Sequence, residues 1–197
     1  VGLQRTLTMQ LAVSGSVLGP MAVPDPTMQR ELVIPPDQRL DVTLDGRTIA
    51  VIVAGERVAE RDGDRAGAVD GAAADQLVAA LWRDRDLVLQ HALAADVRVG
   101  DASTETLDGV RCDAFTIRRA GQPRVRVLLD ATTHAIVRLV PLGDDARGHE
   151  DAADYRAVDG VQLAHRITAV GPGPTLEFTV ETAEVDAAIA PELFALP

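Results

Sequence analysis

Residues 39–53 read RLDVTLDGRTIAVIV and contain the strongest turn signal of the chain. Before the turn, Leu40, Val42 and Leu44 recur at every second position, as in a strand with one apolar face. Asp45-Gly46 is a dipeptide that favours the two-residue turn of a β-hairpin. After the turn, residues 48–53 are rich in valine and isoleucine, which favour strands. The stretch therefore predicts two antiparallel strands joined by a tight turn.

The same two-residue period continues on both sides of this hairpin. Short turn-forming sequences separate the segments, and there is no regular alternation of strands with helices, which excludes a doubly wound parallel sheet. We therefore predict a meander of roughly ten antiparallel strands. Twelve segments show the pattern, slightly more than this rough count: the two of the hairpin and residues 6–13, 28–34, 57–61, 97–99, 112–117, 124–130, 135–141, 150–157, 161–169 and 175–184.

The period changes once, over residues 72–94. There the apolar residues recur at helical spacing, for example Leu77, Val78, Leu81 and Trp82, within an alanine-rich stretch. The charged run at residues 83–86 interrupts the pattern and predicts two helices instead of one. The residues alone thus predict one large, curved antiparallel sheet with two helices on one face.

Composition excludes several classes of function. The chain has 197 residues, a formal net charge of −11 and 47% hydrophobic residues. A nucleic-acid-binding protein normally carries a basic face, and electrostatic binding to an anionic membrane needs basic residues as well. The negative charge therefore argues against both classes of function.

We expect a single domain over residues 1–197. The alternating pattern of the first strand is already under way at Val1, so we also expect the chain to be a trimmed segment of a longer exported protein.

Catalytic and metal-binding patterns are missing from the sequence. None of the four histidines forms a zinc-hydrolase pattern, and there is no nucleophile elbow, phosphate-binding loop or dinucleotide fingerprint. His149, Glu150, Asp151 and Asp154 supply ligand types for a divalent cation, but a strand points successive side chains to opposite faces. We therefore expect no catalytic residues, no metal and no cofactor. A hydrolase using this cluster, or Asp154 with His165, is the weakest alternative.

Cys112 is the single cysteine and cannot form a disulfide within the chain. It alternates with Ala114 and Thr116 and has no cationic residue beside it that would favour a thiolate. The sequence therefore predicts a buried, unreactive thiol.

Residues 154–167, DYRAVDGVQLAHRI, resemble a late hairpin of the lipoprotein carrier superfamily of the LolA/LolB type. That pattern usually has a proline where this chain has Ala164. Four other segments occur in the expected order, in addition to a threonine-rich first strand at residues 5–13. They are RLDVTLDG at residues 39–46, LDGVRCD at 107–113, VLLDATT at 127–133 and PELFALP at 191–197.

The resemblance implies an α+β, mainly antiparallel fold: a strongly curved half-barrel sheet of about ten or eleven strands, with two helices covering the concave face. In these carriers the concave cavity holds acyl chains of lipoproteins or lipids in the periplasm. The resemblance therefore implies a periplasmic or otherwise exported protein. It also implies a lipid or lipoprotein acyl chain as partner. The same module is appended to larger exported proteins, including insulinase-type metallopeptidases, so other domains of a parent protein are possible partners.

Two hypotheses remain open from the sequence. The first is a non-catalytic module with an aliphatic cavity between sheet and helices that binds an acyl chain. The second is a structural or interaction domain of a larger secreted protein, such as a metallopeptidase accessory domain, with a solid core. If a cavity exists, we expect its lining among Leu7, Met9, Leu11, Leu32, Ile34, Leu40, Val42, Leu77, Leu81, Val127 and Leu129.

Overall fold

The structure is a computed structural model that describes residues 5–15, 27–34, 37–44, 47–143, 148–172 and 175–196. Within these ranges, the side chains at positions 5, 13–15, 27, 31–34, 37 and 44 lie outside the description. The described residues form thirteen strands, two α-helices and one short 3₁₀-helix. The strands before the helices are β1 (Arg5–Gly15), β2 (Thr27–Ile34), β3 (Asp37–Leu44), β4 (Arg47–Ala54), β5 (Arg57–Asp62) and β6 (Arg65–Val69).

Two helices follow, α1 (Gly71–Trp82) and α2 (Arg85–His91), and the remaining strands come after them. Neither helix is long and apolar enough to cross a lipid bilayer. The chain ends in a 3₁₀-helix, Pro191–Phe194, that packs against β3 and β4. The strands after the helices are β7 (Arg98–Leu107), β8 (Val110–Arg118), β9 (Arg124–Asp130), β10 (Ile136–Leu142), β11 (His149–Val158), β12 (Val161–Val170) and β13 (Leu176–Val185).

All thirteen strands belong to one antiparallel sheet. Its order is β6-β5-β4-β3-β2-β1-β13-β12-β11-β10-β9-β8-β7, so two meanders meet where β1 pairs with β13. β6 and β7 consequently lie at opposite edges of the sheet, although only the two helices and their connections separate them along the chain. The helical segment therefore has to pass across one face of the sheet.

The sheet curls around the helices that cross it. Twelve strand spacings of about 4.8 Å would make a flat sheet roughly 58 Å wide, whereas α1 and α2 are about 18 and 10 Å long. Even so, the helical segment packs against both halves of the sheet: Leu81 and Leu87 share a core cluster with residues of β1, β12 and β13. Trp82 and Val88 share another with residues of β8, β9 and β10. We call the helix-facing side of the sheet its inner face.

Several tight turns form where the sequence predicts them. Asp108-Gly109 and Asp159-Gly160 each connect two paired strands, and all four residues have positive φ angles of 47–85°. A two-residue hairpin turn of type I′ requires this backbone, and Asp-Gly adopts it readily. The Asp45-Gly46 turn lies outside the described residues, but the flanking Leu44 and Arg47 are paired as in a hairpin.

The predicted number of strands, about ten or eleven, is too low. The sequence analysis did not anticipate β6, whose sequence Arg-Ala-Gly-Ala-Val has no large apolar residues at alternate positions. The strand forms because Arg65 to Val69 pair with β5 across a tight turn, and its side chains are exposed except for the half-buried Val69. Backbone pairing in a hairpin thus produces a strand that side-chain periodicity does not indicate.

The break in the helical segment is confirmed. α1 ends at Trp82 and α2 begins at Arg85, and Asp84 between them is the N-cap of α2. The Asp84 carboxylate accepts a hydrogen bond from the backbone N–H of Asp86 at 2.9 Å, which satisfies one of the free donors at the helix start. We call residues 83–84 the hinge between the helices.

Cys112 is buried, as predicted, on the outer face of the sheet. It has no exposed surface and forms a small cluster with Ala114 and Leu128. Burial raises the pKa of the thiol, and the nearby carboxylates of Asp130 and Glu105 raise it further. The thiol is therefore protonated at neutral pH and a poor nucleophile.

The packing of α2 yields a stability prediction. Leu87 is 1% exposed in the first core cluster, whereas Leu89, on the same helix, is 43% exposed. Leu87→Ala should lower the free energy of unfolding by about 2–5 kcal/mol because it leaves a cavity in the core. Leu89→Ala should cost less than about 1 kcal/mol. Urea unfolding of both variants measures the difference, and equal losses would contradict this placement of α2.

Candidate functional site

A large and mainly apolar space lies beside α2, and we call it the α2 cavity. Its volume is about 910 Å³, within the range of cavities that hold small molecules. Strands β1, β10, β11, β12 and β13 contribute to its walls, together with α2. Its apolar lining includes Leu7, Leu89, Ile136, Ala152, Leu163 and Val185.

The α2 cavity is placed where two strands separate. The ladder between β10 and β11 contains only the pairs Arg138 with Asp151 and Leu139 with Glu150, although both strands continue beyond them. In the opening between the strands, the Tyr155 hydroxyl donates a hydrogen bond to the Ile136 carbonyl at 2.7 Å. Burial raises the pKa of Tyr155 to about 12, so the hydroxyl remains a donor at neutral pH. A side chain therefore bridges the strands where the ladder stops.

A second, smaller space lies under the hinge between the helices, and we call it the hinge cavity. Its volume is about 420 Å³. Strands from both meanders contribute its apolar walls, and the hinge residues supply charged groups. Its apolar lining includes Leu11, Met28, Leu40, Ile167 and Phe178.

A buried cluster of charged side chains separates the two cavities. The Arg30 guanidinium on β2 contacts the carboxylates of Asp84 at 2.6 Å and Asp86 at 2.7 Å. Arg85 contacts Asp86 at 3.2 Å and Glu150 of β11 at 3.0 Å. Arg85 lines both cavities. We call these five residues the charge cluster, and it joins the start of α2 to both halves of the sheet.

The electrostatics of the charge cluster follow from competition between burial and pairing. Burial by itself would raise the pKa of Asp86, but the positive charges of Arg85 and Arg30 outweigh it and lower the pKa. Burial raises the pKa of Glu150, and Arg85 only partly offsets this effect. Asp86 is thus the carboxylate that both arginines hold ionised.

The charge cluster did not emerge from the sequence analysis, although two signals point to it. Arg30 stands between Met28 and Leu32, at a position where the alternation calls for an apolar residue. The run at residues 83–86 indicated only the helix break. The carboxylates of Asp84 and Asp86 in this run contact Arg30, which is 54–56 residues away in the chain. Their pairing therefore depends on tertiary structure.

The structure places the predicted lining residues in different surroundings. Leu7 lines the α2 cavity, and Leu11 and Leu40 line the hinge cavity. The side chains of Leu32 and Ile34 lie outside the described residues. Five of the others belong to the packed core. Met9 and Leu81 are buried in the first core cluster, and Leu77 packs against that cluster. Val127 is buried in the second core cluster, and Leu129 packs against it, whereas Val42 on β3 is half-buried.

The acidic segment beginning at His149 is divided between two faces of the sheet. Glu150 contacts Arg85 on the inner face, whereas Asp151 pairs with Arg138. Asp154 pairs with Arg156, and the His165 ring nitrogen Nδ1 lies 3.1 Å from the Leu163 carbonyl. Among the described residues, no group of three or more potential metal ligands converges. The described geometry therefore offers no support for a cation site in this segment.

Removing the shared carboxylate of the charge cluster should be costly. Asp86→Asn leaves Arg30 and Arg85 buried with one partner fewer, which we expect to lower the free energy of unfolding by about 3–5 kcal/mol. Asp62, whose ion pair with Arg47 lies at the surface, provides the matched control. Asp62→Asn should have a much smaller effect in urea unfolding, because water and salt screen an exposed ion pair. A loss in Asp86→Asn no larger than in the control would refute this role.

The effect of Asp86 should also depend on pH. Its pKa is lowered below the ordinary value of 3.8, so its contribution to stability is complete above that pH and disappears as the pH falls through the lowered value. The difference in unfolding free energy between the natural chain and Asp86→Asn should therefore be constant from pH 7 to about 5 and shrink below pH 4. Urea titrations across this range test the prediction. A difference that grows on acidification would contradict it.

Comparison with known proteins identifies the fold. No protein-family model and no curated protein sequence matches the chain. Among solved structures, a DUF1329 family protein from Desulfovibrio piger matches with a TM-score of 0.64 and 9% identity, covering 98% of this chain and 89% of that one. A LolA superfamily protein from Nitrosomonas europaea matches with a TM-score of 0.62 and 8% identity, covering 98% and 90%.

An outer membrane lipoprotein-sorting protein domain from Vibrio parahaemolyticus matches equally well. The TM-score is 0.62 at 10% identity, and the match covers 97% of this chain and 88% of that one. At such low identity the likeness concerns the backbone alone. We conclude from these three matches, together with the continuous antiparallel sheet and the helical pair, that this chain has a LolA-like fold.

Proposed function

We propose that this protein is a non-catalytic binding module of the cell envelope that holds the hydrocarbon chain of a lipid or lipoprotein in the α2 cavity. The observation that carries the proposal is the cavity itself, about 910 Å³ of space whose walls are mainly apolar in area, with polar side chains among the lining residues. The similar structures support it, since one is a LolA superfamily protein and another a lipoprotein-sorting domain. Their names also support a periplasmic or otherwise exported location.

Burial of hydrocarbon supplies enough free energy for such binding. Each methylene group removed from water contributes about 0.8 kcal/mol, so eight buried methylenes contribute roughly 6 kcal/mol before the cost of association. This interaction needs no directional groups, and aliphatic side chains such as Leu7, Ile136 and Leu163 are sufficient for it. The absence of a catalytic pattern in the sequence is compatible with this mode of binding.

Filling the α2 cavity should reduce uptake of a hydrophobic probe. Ala152, 7% exposed, lines the cavity, whereas Ala157 on the same strand is exposed. Ala152→Trp should lower the affinity for the fluorescent probe N-phenyl-1-naphthylamine at least about tenfold, because the indole occupies the space of the probe. Ala157→Trp should leave the affinity unchanged. Fluorescence titration of the natural chain and both variants measures the effect.

A second variant tests the same cavity independently, so that the prediction remains testable if Ala152→Trp does not fold. Leu89 borders the α2 cavity and is 43% exposed, so Leu89→Glu brings a charge to the cavity without disturbing the core. It should weaken probe binding while leaving the urea unfolding midpoint nearly unchanged. Failure of the natural chain to bind the probe, with no lipid in native mass spectrometry, would refute the proposal. That result would favour a structural domain of a larger protein.

A further inference from the structure

One arginine at the hinge cavity has no partner for its charge among the residues that the structure describes. Arg83 lies between the two helices and lines the cavity, as do Arg30 and Arg85. Those two arginines contact the carboxylates of the charge cluster. The Arg83 side chain forms no hydrogen bond or ion pair with any residue in the described part of the chain. Of the three arginines that line the cavity, Arg83 is therefore the one with no carboxylate partner in the described ranges.

The position of Arg83 is set by the backbone. Its N–H donates to the carbonyls of Ala79 at 3.2 Å and Ala80 at 3.1 Å, which ends α1. The side chain is half-buried, and burial lowers the pKa of the guanidinium, an effect that no charge on another described residue offsets. An arginine is normally ionised at any physiological pH, so a partly desolvated guanidinium without a counter-ion favours the approach of an anion.

The walls of the hinge cavity complement this cation. Leu11, Met28, Leu40 and Phe178 form an apolar surface beside Arg83. The carboxylates that also line the cavity, Asp84 and Glu150, would repel an anion if they were free. Both already contact arginines of the charge cluster, which reduces that repulsion. The cavity thus combines one available positive charge with an aliphatic lining.

We propose that the hinge cavity binds an amphiphile with a single hydrocarbon chain and an anionic headgroup, with the carboxylate or phosphate at Arg83 and the chain along the apolar wall. This inference concerns a second site, separate from the α2 cavity, and rests on the proposed function only in that both take up hydrocarbon chains. A guanidinium donates two parallel hydrogen bonds to a carboxylate or phosphate, whereas a neutral alcohol offers only one oxygen. Binding should therefore discriminate by headgroup as well as by chain.

The test compares ligands that share a ten-carbon chain. Isothermal titration calorimetry at pH 8 measures binding of decanoate, decyl phosphate and 1-decanol to the natural chain and to Arg83→Gln. We expect the natural chain to bind both anions at least about tenfold more tightly than decanol. In Arg83→Gln the affinities for the anions should fall to within about threefold of that for decanol. Binding of decanol itself should be unchanged, because the apolar wall remains.

Two control variants separate a specific role of Arg83 from a general effect of charge. Arg57 is exposed on β5, so Arg57→Gln removes one positive charge away from the hinge cavity and should preserve the discrimination. Arg83→Lys keeps the charge but loses the paired donors, and should retain an intermediate preference for the anions. Equal affinities of the natural chain for decanoate and decanol would overturn the inference. So would full discrimination in Arg83→Gln.

Inorganic phosphate distinguishes an amphiphile from a free anion. We expect it to bind at least about a hundredfold more weakly than decyl phosphate, and equal affinities would overturn the assignment of an amphiphile. Failure of this inference is distinguishable from failure of the proposed function. If decanol and N-phenyl-1-naphthylamine bind but headgroups are not discriminated, only the inference fails. If none of these compounds binds, the proposed function fails as well.

Discussion

The chain must pass from one edge of its sheet to the other between β6 and β7, and this constraint shapes the whole molecule. Residues 70–97 make the crossing, and most of them are in α1 and α2. The helices are too short to span a flat sheet of thirteen strands, so the sheet curves and both of its halves pack against them. The space that remains between sheet and helices is the space available for a ligand.

The charge cluster determines how that space is divided. Taking Arg30, Arg85 and Asp86 out of water is costly, and their pairing offsets this cost only while α2 stays against the sheet. The cluster places polar groups between two cavities of different character. The α2 cavity is larger and more apolar, and the hinge cavity contains Arg83, which pairs with no other side chain in the described part of the chain.

Different parts of the structure were predictable to different degrees. The turns at Asp108-Gly109 and Asp159-Gly160 can be predicted from the sequence, because few dipeptides readily adopt two successive positive φ angles. The burial of Cys112 and the helix break before Arg85 follow from local periodicity and charge. β6 was missed because its side chains are small and exposed. The candidate lining residues share strand faces as alternation requires, yet alternation does not distinguish Leu7 beside a cavity from Met9 in the packed core.

The sequence alone determined the antiparallel meander, the single helical interruption and the absence of recognisable catalytic patterns, because these depend on residues close together in the chain. Only the tertiary structure decided that β1 pairs with β13, and that Arg30 meets Asp84 and Asp86. It also decided that Arg83 is without a counter-ion among the described residues. Such features depend on distances between residues far apart in sequence. Periodicity describes which face a side chain occupies, but not what lies opposite it.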